Sequence, residues 1–147
     1  MENQAISVKG RVLALDFGKK RIGLALSDPL GITTQGLPTF ERTNMRADLT
    51  ALATLAQEHE VVLLLFGYPF HMSGQESLQG QRTKDFAARL SKLTEIEVRF
   101  WDERLTSVEA ESVLKERGGR VTRKSGVVDQ MAARILLGGF LESGELR

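Results

Sequence analysis

The sequence has no cysteine, only two histidines, and no apolar run approaching the ~20 residues that span a bilayer. The missing cysteine excludes disulfides and thiolate metal sites. His59 and His71 belong to no HExxH arrangement, so that class of zinc hydrolase has no ligands here. Charge of one sign is lacking too: 20 Lys and Arg against 19 Asp and Glu leave a net +1. Whole-chain charge therefore does not announce a nucleic-acid binder, and any such surface must be local. The opening residues, MENQAISVKG, have neither the cationic start nor the apolar core of a signal peptide. A cytoplasmic protein without membrane contact is expected.

What is present is the composition of a soluble globular protein, 41% hydrophobic and 27% charged over 147 residues. That length suits one domain over 1–147 with a single layered core, and residues 1–10 and 143–147 are expected to be loose. Residues 12–17 and 22–27 are two β-type runs joined by GKKR, a hairpin-length connection. DPLG then turns the chain into a third run over 32–40. After this meander the period changes. NMRADLTALATLAQEH places Met45, Leu49, Leu52, Ala53 and Ala56 at helical spacing. VVLLLFG (61–67) is a continuous apolar strand of the kind buried on both faces of a parallel sheet. A loop over 67–75 leads to a helix over 75–92 expected to turn Leu78, Phe86, Leu90 and Leu93 to the core. A strand over 95–101 follows. TSVE (106–109) has the form of a capping box and predicts a helix ending near Gly118. A basic loop and a last helix over 126–141 complete a β-β-β-α-β-α-β-α-α order. The expected class is α/β, a mixed sheet with helices on its faces.

Three acids sit where acids are poorly accommodated. Asp16 interrupts an apolar strand, although its oxygens have a plain alternative use around the FGKKR turn. Glu103 follows a strand end and precedes a capped helix, at the edge where open α/β sheets bind ligands. Its alternative is a solvated loop acid paired with Arg104. Asp129 heads the apolar stripe Ala132, Ala133, Leu136 and Phe140, with no cation at the helical neighbour positions. A first-turn acid favouring the helix dipole is its alternative. Carboxylates gathered without Cys or His are hard oxygen ligands suited to Mg²⁺ or Mn²⁺. Two such ions about 3.5–4 Å apart clamp the attacking and leaving oxygens of a phosphodiester.

LALDFGKKRIGLALSD, FGYPFHMSG, DERLTSVEA and KSGVVDQMAARILL follow one another in the order and spacing of the YqgF family, also called RuvX. The chain resembles that family from Arg11 to about Leu141. The resemblance implies an RNase H-like fold with a five-stranded mixed sheet in the order 3-2-1-4-5. It carries catalytic, metal-binding acids onto Asp16, Glu103 and Asp129, with Mg²⁺ or Mn²⁺ as cofactor. It implies a nuclease maturing the 5′ end of pre-16S rRNA in ribosome biogenesis, with ribosomal particles as partners. The family was formerly described as Holliday junction resolvases, so cleavage of branched DNA is the alternative. The family loop resembles GLPLNMDG where this chain has GYPFHMSG, and no contact is assigned to 67–75.

On this reading Asp16 bridges two ions from the central strand, and Glu103 and Asp129 each hold one. Asp102 points the other way if strand alternation continues. Phosphate contact falls to Lys19, Lys20 and Arg21 beside Asp16, to Arg104, and to Arg120, Arg123 and Lys124 within KERGGRVTRK. The bland reading of each charge run is a solvated face, and core packing is the expected role of Phe17 and Trp101. Three rivals remain. One is half of an actin- or hexokinase-like ATPase, which needs a second such domain. Another is a junction resolvase, which needs a symmetric dimer, whereas the rRNA reading leaves monomer and homodimer open. The last is a non-catalytic nucleic-acid-binding factor.

Overall fold

The computed structural model describes residues 10–69, 76–102 and 127–144. Strands β1 (Arg11–Phe17), β2 (Arg21–Ser27) and β3 (Thr34–Glu41) form the expected antiparallel meander. Helix α1 (Met45–Glu58), strand β4 (Val61–Tyr68), helix α2 (Leu78–Thr94) and strand β5 (Glu97–Asp102) follow. The last described helix is α3 (Val127–Ser143). The sheet order is β3-β2-β1-β4-β5, with β4 parallel to β1 and β5 parallel to β4. The helix expected over 106–118 and its capping box lie outside the described residues. No described helix is long and apolar enough to cross a membrane.

Strand alternation divides the core into two layers. Leu13, Leu15, Phe17, Ile22, Leu24 and Leu26 face α1 and α2, where Leu52, Phe86 and Leu90 meet them. Val12, Ala14 and Ala25 face α3, where Ala133, Leu136, Leu137 and Phe140 meet them. Both faces of β1 are covered, which is why its sequence is apolar almost throughout. The two faces differ in size of side chain. Large residues pack under α1 and α2, while alanine and glycine lie under α3 and let that helix approach closely.

Local chemistry sets the element ends. Asn44 caps α1 by accepting from the Ala47 amide at 2.9 Å, and Ser77 caps α2 by accepting from Gly80 at 2.9 Å. Glu95 ends α2 in the left-handed region, at φ 62°. The β2–β3 register shifts between Ile22 and Leu24, across from Pro38, which lies on an edge strand where a missing N–H is tolerated.

One expectation needs correction. Leu78 and Leu93 are 60% and 53% exposed. The buried stripe of α2 is Gly80, Thr83, Phe86, Ala87 and Leu90, so Phe86 and Leu90 face the core as expected and the leucines nearest the helix ends do not. Gly10 donates to the Pro29 carbonyl at 3.2 Å, and the Ser143 hydroxyl bonds the Phe140 carbonyl at 2.6 Å. Residues 1–9 and 145–147 lie outside the described residues.

The β2–β3 connection is built on Asp28. Its carboxylate accepts from the amides of Ile32 and Thr33, each at 2.6 Å, and of Leu30 at 3.1 Å. The Thr33 amide foremost, then those of Ile32 and Leu30, hold the carboxyl below its usual value against a smaller opposing effect of burial. A depressed folded pKa gives stability that is complete above the unfolded value and is lost as pH falls through the folded one. Asp28→Asn is therefore expected to lower the thermal midpoint at neutral pH. It should also flatten the fall of that midpoint below about pH 4, as read by thermal melts across the acid range.

Candidate active site

Asp16 is the sixth residue of the central strand and alternates with Val12 and Ala14, so it lies on the α3 face. It is only half-buried there, since the strand is near its end. Across the antiparallel ladder its partner is Gly23. A Cβ built on Gly23 would stand 2.0 Å from the Asp129 carbonyl oxygen and 3.1 Å from the Asp129 Cα. The first turn of α3 thus rests directly on β2 at the residue paired with Asp16. The structure brings Asp16 and Asp129 to neighbouring places on one face of the sheet.

Two polar contacts hold this end of α3. Arg21 Nε donates to Asp129 Oδ2 at 3.2 Å, with both side chains one-quarter exposed. Gln130 Nε2 donates to the Leu37 carbonyl at 2.7 Å, and its side chain lies over Gly36 of β3. The cation missing from Asp129's own helix is supplied by β2, 108 positions away in sequence. An ion pair this exposed adds little stability, typically about 0–1 kcal/mol, but it fixes the orientation of both side chains. The stripe below Asp129 is as expected: Ala132, Ala133, Leu136 and Phe140 are all buried.

The neighbouring strand ends complete the edge. Trp101 packs on the α3 side in an edge-on contact with Phe140, ring centres 5.4 Å apart. Asp102, the next residue, falls on the opposite face by alternation, as expected. At the end of β4 the Tyr68 hydroxyl donates to Glu76, which also pairs with Lys84 at 2.8 Å. The Lys84 bond, then the Tyr68 bond, holds the Glu76 carboxyl below its usual range. The Glu76 bond in turn raises the Tyr68 hydroxyl.

Lys19 and Lys20 are exposed at the β1–β2 turn, which Gly18 closes by donating to the Arg21 carbonyl at 3.0 Å. Glu103, Arg104, Arg120, Arg123 and Lys124 lie outside the described residues, as does most of the 67–75 loop. Among the described residues no group of three His, Cys, Asp or Glu side chains comes together to hold a metal. Asp16 and Asp129, on neighbouring positions of this face, are all-oxygen donors, the chemistry that suits Mg²⁺ or Mn²⁺, and Asp129 already draws a cationic side chain.

Sequence reasoning missed one charged group nearby. Asp48 is 1% exposed and accepts from Arg42 Nε at 3.1 Å and from the Thr43 amide at 3.0 Å. Arg42 also donates to the Gly18 carbonyl at 3.1 Å and lies 4.5 Å over the Phe17 ring. The signal was faint: an acid at the place on α1 one turn before Leu52.

The family model described as "RuvX: Holliday junction resolvase" matches residues 10–143. A Koribacter versatilis protein named "Putative pre-16S rRNA nuclease" is 46% identical over 136 residues, which cover 92% of this chain and 89% of that one. A protein of the same name from Halalkalibacterium halodurans is 41% identical, covering 93% of this chain and 99% of its own. Among solved structures, T. thermophilus RuvC in complex with a Holliday junction substrate aligns with a TM-score of 0.61. It shares 12% identity, and the match covers 92% of this chain and 97% of that one. The yeast mitochondrial Holliday junction resolvase Ydc2 aligns at 0.58 with 13% identity, covering 96% and 81%. At such identities the likeness is one of fold, the RNase H-like fold.

Gly23→Ala is expected to destabilise the protein by roughly 1–3 kcal/mol, because backbone on the α3 side must move to admit the methyl. Gly138→Ala on the same helix meets nothing within 4 Å. It should instead stabilise by roughly 0.5–1 kcal/mol through helix propensity. Parallel denaturant titrations read both.

Proposed function

The chain belongs to the RuvX family, and from that premise we propose that it is a metal-dependent nuclease acting on the precursor of 16S ribosomal RNA in the cytoplasm. The observation that carries the reading is that the Asp129 backbone lies directly over Gly23, the ladder partner of Asp16, near the end of the central strand. Glu103 supplies the third acid. It is the residue after Asp102, where β5 ends beside β4 at the same edge of the sheet. Precursor rRNA is favoured over branched DNA because the relatives above 40% identity carry the rRNA name. The junction-cleaving structures share only the fold.

Asp16, Glu103 and Asp129 would hold Mg²⁺ or Mn²⁺, which when bound there supplies Lewis-acid stabilisation of the charge that develops on the phosphate. The remaining work belongs to the chain itself. The covered strand β1 fixes the Asp16 backbone, so its carboxylate needs little reorganisation. The Arg21 pair holds Asp129 Oδ2, and the Asp129 carboxylate would orient a water for attack. Lys19 and Lys20, exposed at the β1–β2 turn, meet backbone phosphates without reading sequence. The sheet and the helix packed on it carry the two described acids, Asp16 on β1 and Asp129 on α3.

The test incubates labelled precursor rRNA, single-stranded RNA and a four-way DNA junction with the protein in Mg²⁺, Mn²⁺ or EDTA. Cleavage of the precursor, abolished by EDTA, is expected. Asp16→Asn should reduce it by roughly a thousandfold or more with an unchanged circular dichroism spectrum and melt. Preferential cutting of the junction would move the substrate to branched DNA. RNA binding indifferent to metal and to Asp16→Asn, without cleavage, would make the protein a non-catalytic factor.

A further inference from the structure

On the face of β1 opposite Asp16, between the starts of α1 and α2, lies a hollow of about 260 Å³. Phe17, the residue after Asp16, forms its floor. Lys19, Arg42 and Arg82 line it against a single acid, Asp85, so the lining carries a net +2. The adjoining charges do not change that sum. Asp48 neutralises Arg42, and Arg89 pairs with Asp85 at 3.0 Å. Lys19 and Arg82 are exposed, and they supply the surplus.

The walls are held in place. The Arg42 guanidinium is fixed by Asp48, by the Gly18 carbonyl and by the Phe17 ring beneath it. Gln79 Nε2 donates to the Phe17 carbonyl at 2.7 Å and ties α2 to the end of β1. Phe17 is only 6% exposed, with the Arg42 guanidinium 4.5 Å from its ring centre and the Phe86 ring centre 4.6 Å away, so it offers little open ring to a base. The hollow's chemistry is therefore that of an anion site rather than a base-stacking one. The first turns of α1 (Met45) and α2 (Gln79) both border it and add the positive ends of their dipoles.

We propose that this hollow is a second contact point for the substrate, taking a backbone phosphate of the nucleic-acid strand on Arg82 and Lys19, with Arg42 as a fixed wall. The assignment rests on the nuclease reading of the Asp16 face. A strand passing over the Gly18 turn runs from the acids on one face of β1 to the cations on the other. The acids then face the phosphate that is cut, and the hollow grips one further along the same strand. The acids repel a polyanion, and the hollow offsets that repulsion without placing a cation among the metal-binding oxygens.

The test measures binding of fluorescently labelled single-stranded RNA by anisotropy in EDTA over a range of salt, and cleavage in Mg²⁺. Arg82→Ala and Lys19→Ala are each expected to weaken binding. Each should also lower the slope of log affinity against log salt by about 0.7, the value for neutralising one phosphate fewer on a single strand. In cleavage they should raise KM and leave kcat nearly unchanged. Lys92→Ala, which removes the same charge from an exposed site near the far end of α2, should change neither. Affinity and slope equal to those of Lys92→Ala would overturn the subsite, and wild-type cleavage in the same assay would show that the nuclease reading survives. Wild-type RNA binding that depends on Arg82 but comes without cleavage would keep the subsite and sink the nuclease. Inorganic phosphate and adenosine monophosphate separate the possible sources. Arg82-dependent binding of either, with RNA affinity untouched, would mean that the hollow takes a free anion and would overturn the proposal.

Discussion

Where α3 crosses β2, the backbone of Asp129 comes so near the sheet that only a residue without a side chain fits beneath it. Gly23 is that residue, and Asp16 is its partner on the neighbouring strand. This close approach has a cause in the rest of the face. Ala14 and Ala25 are small, Gly36 admits the Gln130 side chain, and the apolar stripe of α3 settles onto them through Ala132, Ala133 and Leu136. Packing density, a property of the core, sets the separation of two acids whose interest is chemical. The ion pair with Arg21 then orients Asp129 but does not hold the helix down, since pairs this exposed contribute little.

The two faces of β1 divide the labour electrostatically at one strand end. The α3 side gathers carboxylates, and the α1/α2 side gathers cations around Phe17. A nuclease of the proposed kind needs both. Without acids it cannot hold a divalent cation, and without cations it repels the polyanion it must cut.

Much of the architecture was legible in the residues. The meander, the buried run of β4, the helical periods of α1 and α3, and the sheet order implied by the family resemblance all appear in the structure. The acid at Asp16 was visible as a conflict between residue and setting. Asp129 was visible as an acid at the head of an apolar stripe. Periodicity reports which face of an element is buried, but not what is buried against it. Arg21 as the partner of Asp129 is a contact between elements and left no local trace, and Asp48 as the buried partner of Arg42 left only a faint one. On α2 Phe86 and Leu90 were legible as core, whereas Leu78 and Leu93 near its ends misled, and the burial of Gly80, Thr83 and Ala87 hides in residues of low hydrophobicity. Arg82 carries no signal in its local sequence, and only the fold sets it beside Lys19 and Arg42.

The central claim is that Asp16 and Asp129 serve one cation site. It is tested most directly by titrating Mn²⁺ into the isotopically labelled protein and following paramagnetic broadening of backbone amide signals. The account predicts that the amides of Asp16, Gly23 and Asp129 broaden together at low Mn²⁺, and that Asp16→Asn removes the effect at all three. Broadening at only one of these positions, or centred elsewhere on the protein, would contradict it.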